Sequence, residues 1–176
     1  MRFMQPVPKP RPIDEVAHGC CVLGELHPDA VRIYLHEPVL EQVLEYSEQD
    51  LRRELGGFLL GGYHVDESPY VEIRQFVEAS AARSRAASLT FTHQTWADMH
   101  REVAERFPDE LVVGWQHTHP RLKVFFSGHD RFIHHHFFAE PWQVAMVVDP
   151  VAQEFGLFQW RGNDIVDCGF VCVRSK

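Results

Sequence analysis

At 176 residues, with 45% hydrophobic and 24% charged residues, the chain has the size and balance of one globular domain able to bury a full core. A formal net charge of −8, histidines counted as neutral, argues against a nucleic-acid backbone as its main partner. No apolar run approaches the ~20 residues of a membrane span, and residues 1–12 lack the apolar stretch of a signal peptide, so a cytoplasmic protein is expected.

Residues 6–12 read PVPKPRP. Proline fixes φ and lacks an N–H, so this stretch favours extended polyproline II and reads as a tail or a strap over the surface. A strap lying across a groove is one expectation for it. Residues 1–30 are assigned as a proline-rich tail and lead-in, and residues 31–176 as a single domain. Apolar residues alternate over 31–35, as in a strand, and then recur at helical spacing (Val39, Leu40, Val43, Leu44) to about residue 49. Residues 54–65 read as a glycine-studded buried strand, turned at 66–69 into an alternating partner over 70–79. The small and polar stretch 81–88, with Arg83 and Arg85, reads as an exposed loop, followed by a short strand at 89–92.

Trp96, Met99, Val103 and Phe107 mark one face of a helix over 95–106. A strand over 111–119, a loop over 120–127 and a helix over 128–138 come next, and three further strands are expected at 143–148, 154–160 and 166–173. Six or seven strands and three helices, with local and crossover connections, indicate an α/β layered domain. Of the cysteines, Cys20 and Cys21 are vicinal and do not readily bridge each other, and Cys168-x3-Cys172 is a poor zinc-ribbon match. Reduced thiols are expected, with pairing of Cys20 or Cys21 to Cys168 or Cys172 left open should the chain ends meet.

The chemistry concentrates in His117-Thr118-His119-Pro120, followed by Ser127 and Asp130. Histidines at i and i+2 on a strand share a face. Asp130, near the start of the next helix, can turn back toward them. Two imidazoles and one carboxylate leave a fourth tetrahedral position open to water, as catalytic zinc requires and structural zinc does not. His129 adjoins Asp130 and is a candidate to support it. His134, His135 and His136 cannot all face one site, because neighbours on a helix diverge by ~100°.

Together with Glu54 upstream, these residues fill every position of the pattern E…H-[S/T]-H-P-x6-S-x-x-D. The chain thereby resembles the JAMM/MPN metalloprotease family over roughly residues 31–173, with 113–115 (Val-Gly-Trp) and 143–150 (QVAMVVDP) as softer points of likeness. The resemblance implies a curved mixed β-sheet flanked by helices, related in shape to the cytidine deaminases. It implies Zn2+ held by His117, His119 and Asp130, with Glu54 as general base toward the zinc-bound water. It further implies that Ser127 stabilises the oxyanion, a role that competes with its suitability as a helix N-cap. Phe125 and Phe126 are candidates to line a substrate groove or to anchor the loop. Arg83 and Arg85 flank a loop that borders the groove in this family.

The activity expected from the resemblance is hydrolysis of the amide or isopeptide bond after the C-terminal glycine of ubiquitin or a ubiquitin-like protein. The extended tail of the substrate would enter by strand addition. No nucleic acid or membrane is expected as partner, and an activating partner protein and the oligomeric state are left open. Two alternatives compete: a zinc amidohydrolase for small peptides or cell-wall fragments, and a non-catalytic MPN scaffold, against which the intact ligand set argues. A deaminase is disfavoured because H-x-E…P-C-x-x-C is absent.

Overall fold

The computed structural model describes residues 4–14, 21–80, 82–85 and 88–174. Cys20 and the side chains of Arg83 and Arg85, singled out in the sequence, lie outside the described part of the molecule. In chain order the strands are β1 (Val7–Pro8), β2 (Cys21–Leu23), β3 (Arg32–His36), β4 (Gly56–Val65), β5 (Pro69–Glu78), β6 (Arg83–Arg85), β7 (Ser88–Thr90), β8 (Leu111–Thr118), β9 (Val144–Asp149), β10 (Glu154–Arg161), β11 (Asp164–Cys168) and β12 (Phe170–Val173). The helices are α1 (Glu37–Ser47), between β3 and β4, α2 (His93–Arg106), between β7 and β8, and α3 (Gly128–Phe137), between β8 and β9.

The main sheet runs β11-β10-β9-β8-β4-β5-β3-β12-β2 and is mixed: β8 and β9, β3 and β5, and β3 and β12 pair parallel, the other neighbours antiparallel. One connection shows that this sheet curls. β11 ends one side of the path, whereas β12 lies next to the opposite end, yet Gly169 alone joins them. A single residue reaches only ~7 Å between its neighbours' Cα atoms, so the sheet must bend back on itself. An α/β fold with a curved mixed sheet flanked by helices is therefore what the chain adopts.

Side chains alternate across the sheet and divide the core in two. Leu59, Val113 and Met146 face the cluster that receives Val39, Leu40 and Val43 of α1. Phe58, Leu60, Trp115 and Val147 face the other cluster, which receives Met99 of α2 and Ile133 of α3. β4 and β5 take a bulge at Leu60/Gly61, where a Cβ on Gly61 would stand 1.8 Å from the Glu72 carbonyl oxygen. Only glycine permits so close a backbone approach.

Three expectations are corrected. The stretch read as an exposed loop over 81–88 forms, with the residues after it, an antiparallel ribbon in which Arg83 pairs with Thr90 and Arg85 with Ser88. The single strand expected over 166–173 is two, divided at Gly169, where a Cβ would meet the Gly24 and Glu25 backbone within 2.8 Å. The proline strap does not cross a groove beside Glu54. Val7 and Pro8 pair with His64 and Val65 at the far end of β4, and the Tyr70 hydroxyl donates to the Lys9 and Pro10 carbonyls (3.1 and 2.9 Å).

Candidate metal centre

β4 and β8 pair antiparallel with Gly56 opposite His117. Carried two residues further, that register sets Glu54 opposite His119 on the same face. The strand ends are tied there by Thr118 N–H to the Leu55 carbonyl (2.9 Å) and Leu55 N–H to Thr118 Oγ1 (2.8 Å). The parallel pairing of β8 with β9 needs a crossover, and α3 supplies it, so its N-terminus arrives at the C-terminal end of β8. Ser127 is the N-cap: its Oγ accepts from Asp130 N–H (3.1 Å), and Ser127 N–H donates to Asp130 Oδ2 (2.7 Å). This capping box turns the Asp130 carboxylate back toward β8.

The result is three buried donors pointing at one another. His117 Nε2 lies 3.1 Å from His119 Nε2 and 3.1 Å from Asp130 Oδ1, and His119 Nε2 lies 3.5 Å from Asp130 Oδ2. Ligands bound at about 2.0–2.1 Å to a tetrahedral ion stand about 3.3 Å apart, so the separations fit a metal held on three sides. The donor set of two imidazoles and a carboxylate suits such an ion as well. Among the described residues this is the one group of His, Cys, Asp or Glu side chains so converged.

His117 is held from behind. The Trp115 ring stacks on the His117 ring (centroids 4.4 Å apart, 11° between planes), and its indole N–H donates to His134 Nδ1 (3.0 Å). Burial lowers His134 to about 3, so it is a neutral acceptor there. Burial also pushes His117 down, against the pull of Asp130, and thus toward the neutral ring a metal needs. Burial alone would raise Asp130, but hydrogen bonds from His117 and His119 override it and keep the carboxylate ionised well below its ordinary range.

Glu54 Oε1 lies 3.9 Å from His119 Nε2. It precedes β4 rather than opening it, and it is buried, 3% exposed, not a solvated charge at a strand end. Burial raises its carboxyl to about 7, with the neighbouring Asp130 charge adding to that and His119, His129 and the Leu89 backbone opposing it. Leu89 belongs to the β6–β7 ribbon, and its carbonyl meets His129 Nε2 (2.9 Å). The ribbon thus borders the site through its backbone, and His129 supports the ribbon rather than joining the donor set.

Phe125 and Phe126 divide the two roles weighed for them. Phe126 stacks on Phe158 within the core, whereas Phe125, 44% exposed, sets its ring 4.7 Å from that of His119. Of the histidine run, His134 is buried and His135 and His136 are exposed. Sequence reasoning missed the contributions of Trp115, His134 and Leu89: Trp115 stands two residues before His117 on one strand, a spacing that could have found it, whereas His134 and Leu89 reach the site through tertiary packing.

A curled mixed sheet that presents two histidines and a helix-borne aspartate beside a buried glutamate defines the class of JAB-type MPN domains. The chain belongs to that family: the profile described as JAB1/Mov34/MPN/PAD-1 ubiquitin protease matches residues 28–140, well over half its length and inclusive of Glu54, His117, His119 and Asp130. It is 31% identical over 90 residues to a protein named NAD(+) hydrolase TcpA from Theionarchaea archaeon (strain DG-70-1). That stretch is 50% of this chain and 26% of the archaeal protein, so the chain spans only about a quarter of that relative. In three dimensions it is similar to the solution structure of protein DSY2949 from Desulfitobacterium hafniense. The TM-score is 0.62 at 14% identity, covering 82% of this chain and 93% of the other, which is a likeness of fold.

Proposed function

We propose that the chain is a zinc-dependent amidohydrolase acting on the amide or isopeptide bond that follows the C-terminal glycine of ubiquitin or a ubiquitin-like protein. The observation that carries this reading is the set of three donor atoms 3.1–3.5 Å apart with the buried Glu54 carboxyl beside them. His117, His119 and Asp130 are the residues that hold the ion. When bound, zinc supplies Lewis acidity that polarises a carbonyl and acidifies water at neutral pH.

The chain's own groups do the rest. Glu54 accepts the proton of the attacking water and hands it to the departing nitrogen, a task suited to a carboxyl near neutrality. Ser127 Oγ is occupied as an acceptor by Asp130 N–H, which leaves its O–H to donate to the developing oxyanion. The exposed Phe125 ring beside His119 walls the groove. The β6–β7 ribbon offers a strand edge along which an extended tail can pair.

A second reading is a hydrolase for small peptides or amino-acid conjugates. A panel separates the two: a ubiquitin-like protein ending in a fluorogenic amide, the corresponding short glycine-terminated peptide amide, cell-wall peptides, and NAD(+) as the substrate named for the archaeal relative. Efficient cleavage of the folded modifier, with the free peptide much poorer, supports the isopeptidase. Equal or better cleavage of the small amides supports the second reading.

A further inference from the structure

Asp149, the last residue of β9, is buried and accepts four backbone N–H groups. Arg121 and Val151 (each 3.0 Å) and Ala152 (3.2 Å) donate to Oδ1, and Lys123 (2.9 Å) donates to Oδ2. Arg121 and Lys123 have φ of 66° and 69°, the left-handed region that residues with a Cβ avoid. Such a conformation persists only where the surroundings over-determine it. The two loop residues so bent are the two whose N–H groups Asp149 holds.

Between them runs the backbone that cradles His119. Its N–H donates to the Val148 carbonyl (2.8 Å), and its own carbonyl accepts from Leu122 N–H (3.1 Å). His119 Nδ1 is buried and has no hydrogen-bond partner among the described residues. Phe125, two residues after Lys123, packs against the same ring. His117 is gripped by Trp115, whereas His119 depends on this loop.

We infer that Asp149 is the positioning residue for His119 and for the 120–127 wall of the groove, an inference that rests on His119 being a metal ligand. The test is cobalt(II) titration of the metal-free protein, read by the visible absorption of the bound ion and by affinity, with thermal unfolding measured alongside. Asp149→Asn keeps the side-chain shape but replaces one acceptor oxygen with an amide N–H. It is expected to weaken the ion about 10–100-fold, as loss of a supporting hydrogen bond does elsewhere, and to alter the cobalt spectrum. Adding Arg121→Gly and Lys123→Gly, both exposed, should restore much of the affinity, since glycine takes φ near +65° without a clamp. Wild-type affinity and spectrum in Asp149→Asn would overturn the inference, as would a loss that the glycine pair does not recover. A wild-type protein that takes up no cobalt overturns the ligand reading beneath it.

A separate observation carries a modification site elsewhere in the sheet. Cys21 of β2 and Cys172 of β12 stand directly opposite in antiparallel register, and both thiols are free and turned toward the same core cluster. Directly opposed residues have Cα atoms about 4.5–5.5 Å apart, within the roughly 4.4–6.8 Å that a disulfide spans. The register assigns this pair as a site of reversible disulfide formation with a disulfide oxidant. The half-buried Cys21 thiolate attacks glutathione disulfide and releases one glutathione; the Cys172 thiolate then displaces the second, and the two protons of the protein thiols end on the two glutathione thiols released. The experiment treats Cys20→Ser protein with glutathione disulfide and maps the peptides. A Cys21–Cys172 crosslink that raises the melting temperature is expected. A lasting glutathione adduct, unmodified thiols, or a crosslink to Cys168 would overturn it.

Discussion

Burial lifts the Glu54 carboxyl to about 7, which is useful for moving protons and costly for folding. Between its unfolded value near 4.5 and 7, the folded chain holds a proton that the unfolded chain has released, so stability falls as pH rises through that window. Metal-free Glu54→Gln should therefore match wild type at pH 4 and exceed it at pH 8 by up to about 3 kcal/mol, read by urea unfolding with chelator present. The same substitution should lower turnover about 10²–10⁴-fold. In the loaded protein the acid limb of kcat/KM should fall below 7, because a cation beside a carboxylate favours its ionised form. The donor set was legible in the sequence because it is local: one strand, one loop and one helix cap bring His117, His119 and Asp130 together. Glu54 needed the family pattern, since only the β4–β8 register brings it to His119. Asp149 shows locally only a turn with Val151 and Ala152; its hold on Arg121 and Lys123 was not readable, because they lie in the loop after the neighbouring strand.

Elements behaved as their periodicity predicts wherever a helix or a long strand was concerned, and α1, α2, α3, β4, β5 and β8 fall within a few residues of their expected bounds. The failures lie where the signal is short. Three-residue strands such as β2 and β6 show no alternation, and the apolar run through β11 and β12 hides its break behind a single glycine. Gly61→Ala tests the β4–β5 bulge. Its Cβ would press on the Glu72 carbonyl, so unfolding should cost about 3 kcal/mol less than in wild type by denaturant titration. The strap gives the opposite kind of prediction. It fastens to β4 and Tyr70 away from Glu54, so removing residues 1–12 should lower the melting temperature and leave kcat within about twofold, the equivalent of a ~0.4 kcal/mol change.

At the scale of the molecule, one buried carboxylate ties the strap to the sheet. Glu72 of β5 meets Lys9 of the strap, His36 at the end of β3 (2.9 Å) and Arg74 (2.6 Å), which also grips Glu110. Burial would raise the Glu72 carboxyl, but the hydrogen bonds from His36 and Lys9 and the charge of Arg74 hold it at about 2. A lowered carboxylate contributes stability above its unfolded value near 4.5 and loses it as pH falls toward 2. Wild type should thus lead Glu72→Gln by about 3 kcal/mol at pH 7 and lose that lead near pH 2, read from urea midpoints. The curl of the sheet was legible only through family likeness, since no residue pattern announces that β11 and β12 sit at opposite ends of the strand order.

The most direct measurement compares three preparations on a ubiquitin-like protein carrying a C-terminal fluorogenic amide: metal-free protein, protein restored with one equivalent of zinc, and zinc-restored Glu54→Gln. Silence, cleavage and silence are the expected results, with the Glu54→Gln protein still holding its zinc. Cleavage by the metal-free protein, or undiminished cleavage by zinc-loaded Glu54→Gln, would contradict a mechanism in which the ion and Glu54 act together on water.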